Sequence, residues 1–225
     1  MRKIVILLLL VTATLTVCAQ RYSPNTKWPY IYENFTEGTI FFEGNKKSEA
    51  QLNVHLWGNK LHYLSENQRV LTSKDKGVIR VEIGSDAYIY SDHRLVRILA
   101  ADNNNLLVEL TKADFDALFT GTGAYGASLN SASSCDLSSL DLGGLENSEL
   151  GKMLQEKNDG RDIPFKLQYF FIVGGKQIDA TKKGVESILN ADSQKDWKDF
   201  IKQNKIKWKN EDSLKKVLTF VSSHL

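Results

Sequence analysis

Short segments in which apolar and polar residues alternate dominate positions 37–112. Apolar side chains occupy every second position in five of these segments: Ile40 and Phe42; Leu52, Val54 and Leu56; Leu61 and Tyr63; Ile79, Val81 and Ile83; and Leu106, Val108 and Leu110. Successive side chains of a strand point to opposite faces, so this period is typical of strands buried on one face. Turn residues such as Gly58–Asn59 separate the segments and leave no room for crossover helices. The pattern predicts an antiparallel β-meander.

The last part of the chain adds a hairpin and helices. Residues 165–173 alternate again, Gly174–Gly175 forms a turn, and 176–178 returns. A short helix is expected from Lys182, a second from a capping box at Ser193, and a third capped by Asn210. The predicted fold class is therefore α+β and mainly β. Its antiparallel sheet is curled or forms a partly closed barrel, the late hairpin completes it, and the C-terminal helices cover one end.

The N-terminus has the form of a secretory signal, with basic Arg2 and Lys3 before an apolar run. We expect cleavage before Gln20, and the less favoured alternative is a lipobox that would acylate Cys18. No other apolar run approaches the roughly 20 residues of a membrane span, so a periplasmic or cell-surface protein without a transmembrane span is expected. The predicted division is signal peptide 1–19, aromatic entry arm 20–36, β-meander 37–112, flexible Gly/Ser-rich linker 113–162, and hairpin with helices 163–225.

Export changes the charge and the thiol count. Loss of Arg2 and Lys3 lowers the 29 basic residues by two, which matches the 27 acidic residues and removes the net charge of +2. A neutral exported chain has no general attraction to nucleic acid, so no nucleic-acid partner is expected. If Cys18 leaves with the signal, Cys135 is the remaining thiol and no intramolecular disulfide can form.

Aromatic residues offer candidate ligand contacts. Trp28, Tyr30 and Tyr32 crowd into the entry arm, and Trp57 lies in the sheet region. Such residues could line a ligand site. The alternative, which we favour, is that the rings pin the arm across the sheet.

Two histidines form the candidate metal site. If Gly58–Asn59 is a two-residue turn, His55 lies directly opposite His62, close enough for two imidazoles to share a metal ion. The favoured alternative is a pair of exposed polar neighbours on the wetter face, because further ligands are missing and Lys60 would repel a cation. His93 and His224 have no evident partner.

A glycine motif in the chain resembles a dinucleotide-binding fingerprint. The spacing Gly121-x-Gly123-x-x-Gly126 fits, but the mechanism needs a strand before it and a helix after it. Here a predicted helical turn precedes it and a serine-rich stretch follows. The match is interpreted as a coincidence, and no cofactor is expected.

Four pieces of sequence resemble a known group of proteins. They are the segment from Glu37 through Val54, the loop 123–126, the Gln168-Tyr-Phe strand, and the lysine-rich tail from Lys202 to Lys216. Together they are similar to uncharacterised exported proteins of Bacteroidetes bacteria. The resemblance implies an envelope location and brings no activity, cofactor or catalytic residue with it.

These observations favour a non-catalytic binding or interaction protein of the envelope. Its partner would be an envelope protein or a small ligand, neither of which the sequence identifies. The alternative is a small metal-dependent or hydrolytic enzyme built around His55 and His62. An enzyme needs several titratable groups that converge in one pocket, and the sequence supplies no such convergence.

Overall fold

The computed structural model describes residues 21–22, 24–114, 117, 149–160 and 162–224. The predicted signal peptide, Cys18, the glycine motif and Cys135 lie outside these ranges. The strands are β1 (Asn25–Thr26), β2 (Thr36–Phe42), β3 (Lys46–His55), β4 (Lys60–Leu64), β5 (Val70–Thr72), β6 (Val78–Ile83), β7 (Asp86–Ser91), β8 (Arg94–Asp102), β9 (Asn105–Ala113), β10 (Ile163–Val173) and β11 (Lys176–Asp179). The helices are α1 (Leu150–Asp159), α2 (Lys182–Glu186), α3 (Ser193–Asn204) and α4 (Glu211–Ser223). Among these helices, none has the length and hydrophobicity needed to cross a membrane.

The strands form one antiparallel sheet in the order β1-β10-β9-β8-β7-β6-β2-β3-β4-β5, with β11 also paired to β10. The prediction of a mainly β, α+β fold with a late hairpin and C-terminal helices is confirmed. The order differs from a simple meander at one point, because β2 lies between β3 and β6. The chain therefore builds two meanders that are joined edge to edge at β2 and β6.

The sheet curls until the β3–β4 turn reaches β8 and β9. The backbone N–H of Leu95 donates to the carbonyl of Asn59 at 2.8 Å. The side-chain amide of Asn59 donates to the carbonyl of Thr111. Asn59 has a φ of 49°, a left-handed conformation that asparagine tolerates better than most residues. One residue of the turn thus joins the two sides of the curled sheet.

Two apolar cores occupy the concave side of the sheet. The first fills the curl with side chains from β2 to β8: Ile40, Leu52, Val54, Leu61, Val81, Ile83, Tyr88 and Leu95. A side chain at Gly38 would collide with the carbonyl of Glu82 and with Leu52, so glycine permits this close approach of β2 to β6. The second core lies between α2–α4 and the β9–β10 region: Leu107, Phe171, Val185, Trp197, Leu214, Val217, Leu218 and Val221.

Local details correct two sequence expectations. Helix α1 lies inside the interval 113–162 that was predicted to be a flexible linker. Ser193 is not the cap of α3, since Asp192 holds that position and the Ser193 hydroxyl donates to the carbonyl of His224. The predicted cap at Asn210 is confirmed, because its side chain accepts a hydrogen bond from the N–H of Ser213.

Candidate functional site

The aromatic entry arm lies along the edge of β3. The N–H of Ile31 donates to the carbonyl of Val54, and the N–H of Leu56 donates to the carbonyl of Pro29, both at 2.9 Å. Tyr30 pairs with His55 across this edge. The arm therefore pairs with the end of β3, beyond the last residue of β3 that pairs with β2.

Three of the four aromatic residues predicted to bind a ligand are buried. Trp28, Tyr30 and Tyr32 are at most 1% exposed, so their rings offer no surface to a ligand in this conformation. They match the alternative in which the rings pin the arm to the sheet. Trp57 differs, because it lies in the β3–β4 turn and is 57% exposed.

The two candidate histidines are neighbours, but not in the predicted register. The loop between β3 and β4 has four residues instead of two, so His55 pairs with Lys60, and His62 pairs with Asn53. The expectation that His55 lies directly opposite His62 is therefore wrong. The shift is an even number of residues, which keeps both histidines on one face as diagonal neighbours. Their rings are parallel within 6°, with centroids 4.7 Å apart.

The histidine pair is also buried, which contradicts the expectation of an exposed, wet face. His55 and His62 are 3% and 4% exposed. Tyr30 packs edge-on against both rings at 5.0 and 5.5 Å. Its hydroxyl makes a 2.8 Å hydrogen bond with Nδ1 of His62, and the Thr72 hydroxyl lies 3.1 Å from Nε2 of the same ring. The arm thus covers the pair and supplies one of its polar partners.

Both imidazoles are held in the neutral form. Burial lowers the pKa of His55 to about 4, although a hydrogen bond with the Trp57 carbonyl acts in the opposite direction. Burial, followed by the neighbouring His55, lowers the pKa of His62 to about 3. Because a carbonyl can only accept, His55 must carry its proton on Nδ1. Its Nε2 is then a buried acceptor for which the described residues supply no hydrogen-bond donor.

The observed geometry does not allow the pair to share one metal ion. The lone pair of an imidazole nitrogen lies in the ring plane, so a bound ion lies close to that plane. Two stacked, parallel planes have no common position within bonding distance of both rings. In addition, the described residues contain no group of three or more His, Cys, Asp or Glu side chains that could hold an ion. A shared site would require one ring to rotate out of the stack.

Helix α1 packs over this part of the sheet. Met153 joins Trp28, Tyr30, Leu64 and Val70 in a small apolar cluster. On the same helix, the ammonium group of Lys157 lies 5.5 Å from the centre of the Trp28 ring and donates to the Glu33 carbonyl. The arm and α1 therefore form a layer on the face of β3–β5 opposite the main core.

A second group of ionisable residues lies on the concave face. Arg97 contacts both carboxylate oxygens of Glu109 at 3.3 Å and one oxygen of Asp86 at 3.1 Å. Arg21 adds a 3.2 Å contact to Glu109. Burial disfavours the charged form of Arg97, but Glu109 and then Asp86 outweigh it and hold its pKa above the usual value. Two positive and two negative charges balance within the group.

Two tyrosines complete this charge network. The Tyr32 hydroxyl donates to Asp86 at 2.7 Å and also contacts the Tyr88 hydroxyl. Burial, with Tyr88 and Asp86 nearby, raises the pKa of Tyr32, so it stays protonated at neutral pH. The network ties the entry arm, through Arg21 and Tyr32, to β7, β8 and β9.

An open groove of about 500 Å³ lies on the opposite face of β2, β3 and β6. Glu37, Glu49 and Glu82 line it together with Thr39, Gln51 and small residues. Glu49 pairs with Lys47 and Glu82 with Arg80, both at the surface. The lining contains no histidine, cysteine or serine, so its titratable groups are the three glutamates.

The two remaining histidines have partners that the sequence did not reveal. Nδ1 of His93 lies 2.7 Å from a carboxylate oxygen of Asp75 on the surface. His224 stacks on Phe220 with ring centroids 4.0 Å apart. On the surface, Asp114 contacts Lys166 at 2.7 Å.

The charge network is the feature that sequence reasoning missed. Its signal is present in the chain, since Glu109 interrupts the apolar run 106–110 and Arg97 interrupts 95–99. A charge at an inward position of a strand requires a buried partner. No family model, curated protein or solved structure matches the chain.

Proposed function

We propose that the chain is an exported, non-catalytic binding or interaction protein of the cell envelope. One observation carries the proposal: the ionisable groups on the inner side of the fold and beneath the entry arm are buried or engaged with other groups of the chain. In the described part of the chain, the histidine pair and Glu109 are buried, and the partly buried Arg21 and Arg97 are engaged by carboxylates. An enzyme instead needs an acid, base or nucleophile that a substrate can reach.

The geometry argues against the alternative of an enzyme built around the histidines. A general base at His55 would have to meet its substrate at Nε2, which is buried beneath the entry arm. The stacked rings also lack a common metal position. In the open groove, two of the three glutamates, Glu49 and Glu82, pair with surface cations. Binding through the outer surface needs none of these features.

The position of Arg21 supports export with cleavage before Gln20. The Arg21 guanidinium reaches Glu109 and the Thr111 hydroxyl, and Arg21 would remain in the mature chain after this cleavage. Cleavage at this site would leave the charge network complete. The resemblance to exported proteins of Bacteroidetes agrees with the same location.

Native mass spectrometry of the protein purified from its host envelope, before and after chelator, tests this function. We expect a mass that begins at Gln20, no bound metal, and a non-covalent complex with an envelope component. A stoichiometric metal that is lost in the double variant His55→Ala/His62→Ala would overturn the proposal. A matched His93→Ala variant, which changes a surface histidine, controls for non-specific metal binding.

A further inference from the structure

Four lysines form a concentrated positive surface at the end of α3 and in the segment that follows it. Lys202, Lys205, Lys207 and Lys209 fall within eight consecutive residues and are all exposed. None of them forms a salt bridge or side-chain hydrogen bond with a described residue. Other exposed lysines do, as Lys47 contacts Glu49 at 3.0 Å. We call these four residues the lysine ridge.

The backbone of the ridge is held in a defined shape. Lys205 adopts a left-handed conformation that ends α3, and its N–H donates to the Ile201 carbonyl at 3.0 Å. The N–H of Asn210 donates to the carbonyl of Lys207, while its side chain caps α4. Both ends of the segment are therefore fixed by helix termini, and no large ordering cost would accompany binding.

Apolar residues between the lysines anchor the segment from beneath. Ile206 and Trp208 pack against the C-terminal core, and the Trp208 ring lies 6.2 Å from that of Trp197. The alternation of half-buried and exposed positions directs Lys205, Lys207 and Lys209 outward.

Local stabilisation does not account for the whole ridge. Lys202 lies in the last turn of α3, where a cation favours the helix dipole. Lys205, Lys207 and Lys209 lie beyond that turn. The nearest acid on the following helix, Glu211, already contacts Lys215 at 2.6 Å. The charge of these three lysines is thus available to an external partner.

We propose that the lysine ridge binds the surface of an anionic phospholipid membrane. The inference rests on the proposed function, because export would place the chain beside membranes. It identifies the membrane surface as the binding partner. The exposed lysines alternate with the half-buried Ile206 and Trp208, so their ammonium groups lie along one outer side of the segment. A layer of headgroups suits such point charges, and each lysine near an anionic surface strengthens binding by about fivefold.

Flotation with lipid vesicles tests the inference. The full mature chain would be mixed with vesicles of phosphatidylcholine alone, or with added phosphatidylglycerol. The ridge variant is Lys205→Gln/Lys207→Gln/Lys209→Gln. The matched control is Lys46→Gln/Lys74→Gln/Lys76→Gln, which removes the same charge from exposed lysines elsewhere. Circular dichroism checks that each variant is folded.

We expect the native chain to bind the vesicles with phosphatidylglycerol and not those of phosphatidylcholine alone. This binding should be lost in about 1 M salt, where the Debye length falls to about 3 Å. The ridge variant should bind at least about tenfold more weakly, and the control should bind within about twofold of the native chain. Equal losses in both variants, or no binding of the native chain, would overturn the inference. Inorganic phosphate that displaces the protein at millimolar concentration would point to a discrete anion site instead. Such failures leave the proposed function standing, since its test is the metal content and mass of the envelope-purified protein.

Discussion

The buried histidine pair makes the stability of the protein sensitive to mild acid. In the unfolded chain each imidazole has a pKa near its ordinary value of 6.5, whereas in the fold the pKa values are about 4 for His55 and about 3 for His62. The unfolded state therefore binds more protons below pH 6.5. The stabilisation is complete above that pH, and it is lost as the pH falls towards the folded-state values.

The size of the effect follows from the same values. At about pH 5 each histidine is mostly protonated when unfolded and mostly neutral when folded. One pKa unit corresponds to about 1.4 kcal/mol. Each histidine therefore lowers the free energy of unfolding by about 2 kcal/mol between about pH 7.5 and pH 5, and the pair lowers it by about 4 kcal/mol. This is a large share of the free energy of unfolding of a typical folded domain, which is roughly 5–15 kcal/mol.

Urea unfolding followed by tryptophan fluorescence measures this loss. The free energy of unfolding would be determined at both pH values for the native chain and for His55→Asn/His62→Gln. The two amides retain hydrogen bonding without titrating, and the contributions of the carboxylates cancel in the comparison. We expect the native chain to lose about 4 kcal/mol more than the double variant. The surface variant His93→Gln is the matched control, and it should keep the full loss.

The reasoning would be refuted if the native chain and the double variant lost the same free energy over this range. Such a result would mean that the imidazoles already bind protons in the fold. The enclosure by the arm would then be incomplete in solution.

Three further substitutions test the charge network, the histidine pair and the packing of α1 by the same unfolding assay. Glu109→Gln leaves Asp86 as the one carboxylate facing both Arg97 and Arg21, and it should cost about 3 kcal/mol. The surface change Glu49→Gln should cost less than about 1 kcal/mol; equal costs would show that the network is not stabilising. Tyr30→Phe removes the hydrogen bond to His62 and should cost about 1 kcal/mol, and a neutral result would mean that water replaces the hydroxyl. Met153→Ala should cost at least about 2 kcal/mol, and faster proteolysis within α1 should accompany it; an unchanged midpoint would place α1 outside the cooperative unit.

The sheet was predictable from the sequence because its signal is local. Alternation at Leu52, Val54 and Leu56, and again at Val81 and Ile83, reports burial on one face of a strand without any knowledge of its neighbours. The cap at Asn210 is equally local. These features depend on a few adjacent residues, and the structure confirms them.

Register and long-range neighbours were not predictable in this way. The turn at Gly58–Asn59 is compatible with loops of two or four residues. The longer loop pairs His55 with Lys60 instead of His62. The position of β2 beside β6 depends on pairing between segments about 40 residues apart, for which turn chemistry gives no rule. The insertion of Arg21 beside Glu109 is a contact of the same kind.

The burial of the histidines was misjudged for a related reason. Asn53, Lys60 and Trp57 lie close to the histidines in the sequence and are typical of a wet face, yet the arm and α1 cover part of this face. The Asn53 side chain hydrogen-bonds the backbone of Tyr32, so a polar residue there serves to hold the arm. Sequence composition indicates the polarity of a sheet face, but it does not tell which distant segment of the chain packs over that face.

The central claim is that the ionisable groups inside this fold serve its structure and are closed to ligands. Proton–nitrogen correlation spectra of the imidazoles, recorded at neutral pH while Zn²⁺ is added, test it most directly. We expect His55 and His62 to be neutral, with the His55 proton on Nδ1, and both rings to be unaffected by excess zinc. Stoichiometric shifts of the nitrogens of both rings would instead reveal a metal site and contradict the claim.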